Sequence, residues 1–504
     1  MWRLRAMRGS RGAPSSEEGL VGVAERGVVA AGHPLTAEAG ASILREGGNA
    51  VDAALAALMM SFMAEPLLTG LGAGGYMLVS PPGGKTPVLL DFMVEVGAHV
   101  GERAPLDAVV VDFGDAVQVF HIGASSCGTY GVPAGIAAAA ERFGSVSLER
   151  LAAPAVRAAR EGVTVNHAQA LLWDMLAPIA RATPEAVARY GLPSEGDVVR
   201  DPELADAIER LAAEGAAPFY TGDIGHAVAD WVVERGGTLT REDLAAYEVI
   251  PREPIHVRYH GREVLTNPPP SAGGVLIAYA LALLERREGL SDAAALVDAM
   301  EAAQAERTDA FLDGLDTPGF LDSFMSSRLG STTHISVMDA EGWACSVTTT
   351  NGEGSGIVVP GTGIHVNNML GEQDLSPSGW FTHPPGRRLP SMMAPTIVLE
   401  DGRPELVVGS AGSNRIRSAI LQVIVNAIDH GMDAQPAVDA PRLHFEDGLV
   451  YAEPGVPDVP GRTMVRFREP NLFFGGTQAA ERHHGEGSFS GGGDPRRGGA
   501  VVVV

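Results

Sequence analysis

Cysteine is nearly absent: Cys127 and Cys345 are the only two in 504 residues. They lie far apart and match no metal or redox spacing, so a disulfide framework is excluded and two buried or free thiols are expected. Basic residues are also short, with 37 Lys and Arg against 62 Asp and Glu and a formal charge of −25. That surplus repels nucleic acid and acidic membrane surfaces, so neither is expected as a partner. No uncharged apolar run reaches the ~18 residues of a bilayer span. The basic start MWRLRAMRGSRGAPSSEEG lacks the ~7–15 apolar residues of a secretion signal, which leads to the expectation of a cytoplasmic protein with a flexible N-terminus over 1–27.

Apolar residues make up 45% and charged residues 20%, the composition of a folded globular protein, and 63 glycines suggest many tight turns. Asn49 with Asp52 three residues on predicts a capped helix over Ala50 to Phe62, apolar enough to be buried on most sides. Helical patterns follow at 135–143, 148–160, 168–182, from Pro202, after Thr240, at 275–285 and at 293–311. After Gly330 the pattern turns to strands at 334–338, 344–350, 363–366, 396–400 and 406–409, with one helix at 417–430. Strands near both ends with helices between them predict an α/β sandwich. The Gly-rich 485–499 stretch is the nearest approach to low complexity.

Several motifs carry no chemistry. GLGAGG (Gly70–Gly75) fits G-x-G-x-x-G, but it follows a helix and precedes a strand, the reverse of a dinucleotide fingerprint; a close-packing turn is expected. NGEGSG (Asn351–Gly356) lacks the lysine of a phosphate loop. His483 and His484 have no third ligand at helical spacing and are expected in a solvated loop, with no metal site.

GSTTHISV, from Gly330 to Val337, is unusual for its hydroxyls. In a strand, Thr332, His334 and Ser336 share one face and Thr333, Ile335 and Val337 the other. A threonine hydroxyl is a weak nucleophile. Cleavage before Thr332 would expose an α-amine of pKa near ~7.7–8.0, able to accept that hydroxyl's proton at neutral pH.

With these residues the chain resembles the γ-glutamyltranspeptidase family of N-terminal-nucleophile hydrolases. HPLTAEAGASILREGGNAVDAA (His33–Ala54), GLGAGGYML, FYTGDI (Phe219–Ile224), LTREDLAAY (Leu239–Tyr247), PPPSAGG (Pro268–Gly274), TTHISV, NN (Asn367–Asn368), SMMAPTIV (Ser391–Val398), GSAGSNRI (Gly409–Ile416) and DPR (Asp494–Arg496) all occur in the family's order. The resemblance implies a four-layer αββα sandwich and self-cleavage between Ser331 and Thr332. Residues 28–331 would then form the large-subunit part and 332–504 the small-subunit part of one intertwined fold, associated after cleavage.

The resemblance further implies that Thr332 is the nucleophile, that Thr350, or its neighbour Thr349, holds the new α-amine, and that the backbone N–H groups of Gly412 and Ser413 form the oxyanion hole. Asn351, Glu372, Ser391 and Met392 fall where the family contacts the donor. The implied reaction splits a γ-glutamyl-type amide through an acyl-threonine and passes the acyl group to water or to an amino-acid or peptide acceptor, without a cofactor. Four positions depart from the family: Met93 follows LLDF (Leu89–Phe92) in place of a carboxylate-binding arginine, Glu372 replaces an aspartate, Pro390 stands where the first of two serines is common, and Ser413 replaces the second glycine of the oxyanion pair. Arg387, Arg388 or Arg415 are the expected substitutes for the missing arginine, and Met93→Arg is expected to raise γ-glutamyl affinity. The alternatives are a glutaryl-type amide acylase of the same fold and a binding scaffold that never cleaves.

Overall fold

The computed structural model describes residues 25–99, 101–112, 117–287, 289–305, 333–372, 375 and 379–504. Most of residues 1–27, the two residues of the expected cleavage site, Ser331 and Thr332, and the tail of the 293–311 helix lie outside the described residues.

Two antiparallel sheets carry the fold. Their strands are β1 (Gly27–Ala31), β2 (Gly74–Ser80), β3 (Val88–Phe92), β4 (Ile250–Arg252), β5 (Ile255–Tyr259), β6 (Arg262–Thr266), β7 (Thr333–Asp339), β8 (Ala344–Thr350), β9 (Thr396–Glu400), β10 (Arg403–Ala411), β11 (Gly476–His483), β12 (Ser488–Gly493) and β13 (Ala500–Val503). The first sheet runs β13-β1-β7-β8-β2-β3-β4 and the second β12-β11-β10-β9-β6-β5. Both sheets combine strands from either side of residue 331, β7, β8 and β13 with β1 to β4 in the first and β9 to β12 with β5 and β6 in the second, so the two expected parts share both sheets.

Each sheet has one face against helices and the other against its partner sheet. Helices α1 (Pro34–Arg45) and α2 (Ala50–Ala64) cover the first sheet; α3 (Ala272–Glu285) and α5 (Ile416–Ile428) cover the second, with α4 (Ala293–Ala305) packed outside α3. Between the sheets lies an apolar layer that includes Tyr76, Leu78, Leu89, Ile397, Val407 and Ala480. This is the four-layer αββα sandwich. Every residue of α2 is buried, and its capping box forms as expected: Asn49 accepts from the Asp52 N–H while Asp52 accepts from the Asn49 N–H.

The structure corrects several sequence expectations. Residues 255–266 form the hairpin β5–β6, turned at His260 and Gly261, and the helix expected over 275–285 starts earlier, with α3 beginning inside PPPSAGG at Ala272. The Gly-rich 485–499 stretch contains β12 rather than low-complexity chain, because Gly491 and Gly492 meet Ala479 and Ala434 backbone too closely for larger side chains. His483 closes β11 instead of standing in a loop. Among the described residues no helix is long and apolar enough to cross a membrane.

Candidate functional site

The hydroxyl-rich strand faces the second sheet. His334 Nδ1 lies 2.8 Å from Thr348 Oγ1 on β8, and its Nε2 lies 2.8 Å from Ser336 Oγ. Ser336 donates in turn to the Gln478 carbonyl on β11, 3.0 Å away, and Ser346 Oγ accepts from the Thr396 N–H of β9 at 3.1 Å. A row of hydroxyls and one imidazole therefore ties the two sheets together through their apolar layer. Burial pushes the imidazole down to about 3, so it is neutral at ordinary pH.

The same contacts fix which strand ends meet. Ser346 reaches towards the Val408 carbonyl, and the His334 ring lies directly over Gly409, where any side chain would collide with it. Passing from Ser336 and Ser346 to His334 and Thr348 on the first sheet thus corresponds to passing from Val408 to Gly409 on β10. Continued along β10, that direction brings Ala411, Gly412 and Ser413 to the end of the sandwich where β7 starts at Thr333 and β8 finishes at Thr350. Gly412 has φ +126, and an added Cβ would stand 2.5 Å from the Gly475 Cα. Ser413 has φ +53, a left-handed backbone for which serine is poorly suited. The turn opens a short helical stretch, Ser413–Arg415, that leads into α5; N–H groups at such an end are available to an anion.

The end of β8 separates the two threonines that the sequence left open. Thr333 and Thr349 are paired across β7 and β8 and share the face towards α2, where Thr349 Oγ1 lies 2.7 Å from Thr69 Oγ1. Thr350 falls on the opposite face with Thr348, one position beyond the last described pair, and its Oγ1 accepts from the Gly352 N–H at 2.7 Å. Asn351 follows, its N–H on the Leu68 carbonyl and its own carbonyl accepting from Asn368. Gly352, with φ +68, packs against both the Asn368 side-chain oxygen and the Glu372 carboxylate, which brings Asn351, Asn368 and Glu372 together.

Ser391 and Met93, both expected near the donor, are linked beside β3: Leu389, two residues before Ser391, donates its N–H to the carbonyl of Val94, next to Met93. Ser391 is buried; its carbonyl accepts from Ala272, Gly273 and the Ser271 hydroxyl, and its Oγ accepts from the Met393 N–H. The Met392 side chain belongs to the apolar cluster of the outer helices, so only its backbone is left for a ligand. Met93 is fully buried in the inter-sheet cluster with Met369, Leu370, Leu389 and Met393. Its backbone carbonyl accepts from Arg388 at 2.5 Å, and the rest of that guanidinium is held by Tyr247, the Glu248 carbonyl and Glu95. Arg415 donates to the Phe473 carbonyl at 2.9 Å and stacks 4.4 Å above the Phe473 ring. Arg388, named above as a substitute for the missing arginine, is thus committed to the protein's own backbone.

Three residues near this end were missed by sequence reasoning. Thr69 and Glu65 stand just past the apolar helix α2, and Arg497 stands one residue after DPR. Glu65 is buried against Gly32, with the Thr36 hydroxyl 3.4 Å from its carboxylate, and burial raises it to about 7 against the pull of Arg497. A carboxylate directly after fifteen apolar-helix positions was the available signal. Elsewhere, Asp433, Glu481 and His483 bring ligand atoms within 4.8 Å of one another, but the Glu481 carboxylate already accepts from the Ala434 N–H and Ser490. Cys127 and Cys345 are buried and unpaired with each other, the Cys127 thiol pushed up to about 12 by burial.

A family model described as gamma-glutamyltranspeptidase matches residues 36–318 and 321–504. A glutathione hydrolase proenzyme of Bacillus subtilis (strain 168) is 30% identical over 550 residues, covering 96% of this chain and 92% of that protein. An acylase ACY 1 proenzyme of Pseudomonas sp. (strain SE83) is 32% identical, covering 87% of this chain and 86% of its own length. Among solved structures, the cephalosporin acylase from Bacillus halodurans superposes with a TM-score of 0.79 at 26% identity, covering 99% of each chain.

Proposed function

From the premise that this chain belongs to the γ-glutamyltranspeptidase family, and is an enzyme of the glutathione hydrolase kind, we propose that Thr332 is its nucleophile, freed by self-cleavage after Ser331. The carrying observation is the convergence of three strand ends: the start of β7, next in the chain to Thr332, the end of β8 at Thr350, and the Gly412–Ser413 turn of β10. Covalent continuity keeps the Cα of Thr332 about 3.8 Å from that of Thr333. Relatives named as proenzymes support the cleavage.

Thr332 Oγ attacks the acyl carbon as its proton passes to the α-amine, and Thr350, on the same face as Thr348, holds that amine. The N–H groups of Gly412 and Ser413 receive the oxyanion, a contribution of roughly 3–4 kcal/mol per donor in other hydrolases. The α-amine then protonates the leaving amine, and water or an amine acceptor takes the acyl group from Thr332. Asn351, Glu372 and Ser391 line the donor end, with Met392 contributing backbone only.

The donor is a γ-glutamyl-type amide, with a second reading favoured by one feature. Met93 fills the expected carboxylate position with a buried thioether, and an acyl group without an α-amino acid head, such as glutaryl, asks for less there. Paired assays on γ-glutamyl and glutaryl p-nitroanilides decide between them. Faster γ-glutamyl turnover, lost on Glu372→Ala, supports the first; faster glutaryl turnover, indifferent to Glu372→Ala, selects the second; turnover of neither contradicts both.

A further inference from the structure

The Gly412–Ser413 turn is gripped from outside the two main sheets. A small separate sheet consists of Leu443–Glu446, Leu449–Ala452 and Thr463–Arg466. Glu446 ends its first strand. Its Oε1 accepts from the Asn414 side-chain N–H at 2.7 Å, and Asn414 directly follows Ser413. Against its Oε2 lies His444 Nε2, 3.4 Å away, and His444 Nδ1 lies 2.8 Å from the hydroxyl of Ser418 in the first turn of α5. One carboxylate therefore holds the turn through Asn414 and the following helix through His444 and Ser418.

The charges around the turn favour that grip. Burial alone would raise the Glu446 carboxyl, but the hydrogen bond from His444 and the guanidinium groups of Arg415 and Arg417 outweigh burial and bring it down to about 2. It is thus an anion at neutral pH, and a hydrogen bond to an ionised acceptor is roughly twice as strong as one between neutral groups. Arg417 Nε also donates to the Asn414 carbonyl at 3.3 Å, so Asn414 is held by side chain and backbone together. The turn has a strain to be held against: Ser413 stands at φ +53, a backbone that serine leaves readily when nothing fixes it. On one side of Ser413, Gly412 is fixed by its packing on Gly475 and by the Arg415 N–H on its carbonyl at 3.1 Å. On the other side, the Asn414–Glu446 bond ties the turn to the small sheet.

We propose that Glu446 is a positioning residue for the acyl transfer: through Asn414 it keeps Ser413 in the left-handed backbone that aims the N–H groups of the turn at the developing oxyanion. The assignment rests on the oxyanion reading above, and Glu446 itself touches no reacting atom. A turn that relaxes leaves the donor-side residues in place and weakens only the contacts that strengthen as the carbonyl oxygen gains charge. Loss of Glu446 is therefore expected in kcat rather than in donor binding.

The test uses whichever p-nitroanilide the natural protein consumes, γ-glutamyl or glutaryl. Glu446→Ala should lower kcat by about tenfold or more with donor KM within about twofold, whereas Glu446→Gln, whose amide oxygen still accepts from Asn414, should retain most of kcat. Asn414→Ala should lose as much as Glu446→Ala, and the double variant no more than either; Ser413→Gly added to Glu446→Ala should restore part of the rate. A Glu446→Ala protein with natural kcat overturns the proposal, as do a loss confined to donor KM and losses that multiply in the double variant. Should Glu446→Ala fail to fold, Asn414→Ala against Glu446→Gln carries the same comparison. The crystal structure of the Ala variant is a readout independent of turnover: a Ser413 that leaves the left-handed region upholds the anchor, and one that stays near φ +53 refutes it. If the natural protein consumes neither anilide, the acyl-transfer reading fails and the crystal structure alone decides the anchor.

Discussion

The Ser413 backbone turns into the left-handed region at φ +53, directly after Gly412, whose own φ is +126 and where an added Cβ would stand 2.5 Å from the Gly475 Cα. The two residues meet different constraints at one turn. Gly412 has no room for a side chain, while Ser413 has room but an unfavourable backbone.

Ser413→Gly should therefore raise stability by about 1 kcal/mol, since relief of left-handed strain exceeds the entropy added to the unfolded chain, and should keep turnover because the proposed donor is a backbone N–H. Gly412→Ala should lower the thermal midpoint and abolish turnover. Thermal melts with the anilide assay check both, and a destabilised Ser413→Gly would contradict the strain assignment.

His334 supplies a pH-dependent stability. Its folded pKa of about 3 lies below the ordinary 6.5, so its contribution is present above pH 6.5 and is lost as the pH falls towards 3. His334→Gln should cost stability at pH 7, by about 2–3 kcal/mol for the loss of the ring's hydrogen bonds to Thr348 and Ser336 and of its packing. The gap to the natural protein should narrow by pH 4 in urea denaturation; a gap independent of pH would contradict burial of the neutral ring.

Glu65 acts with the opposite sign. A carboxyl raised from 4.5 to about 7 is stabilising below pH 4.5, and that contribution is lost as the pH rises through 7. Glu65→Gln should match the natural protein at pH 4.5 and exceed it by an amount on the order of 2–3 kcal/mol at pH 8. Equal denaturation midpoints at pH 8 would contradict it.

Met93→Arg was expected to raise γ-glutamyl affinity, and the burial of Met93 argues for the opposite outcome. The side chain lies in a sealed apolar cluster, and Arg388 already sits on its carbonyl. Met93→Arg should cost about 3 kcal/mol or more through burial of a second, unpaired guanidinium, with no fall in donor KM. A lower KM with an unchanged melting midpoint would show that the new side chain reaches the donor instead.

Much of the fold was legible in the sequence because local signals agreed with the tertiary result. The Asn49–Asp52 capping box, the Asp201-Pro202 helix start and the alternation of β8 and β9 all appear where their patterns placed them. The GLGAGG turn also lies between a helix and a strand, with Gly75 pressed onto the Thr348 carbonyl. The 485–499 stretch misled because glycine there answers to close sheet packing, which is invisible to propensity. Candidate site residues were named where a motif carried them. Glu65 and Arg497 were missed because their significance comes from which carboxylates and guanidinia are already paired, and pairing is settled only by the fold.

The central claim, a nucleophile made by self-cleavage, is tested most directly by the mass of the purified protein under denaturing conditions. Two fragments, 1–331 and 332–504, are expected from the natural protein, and a single chain of 52.4 kDa from Thr332→Ala. A natural protein that stays at 52.4 kDa after long incubation, or a Thr332→Ala protein that is cut at the same bond, would contradict it.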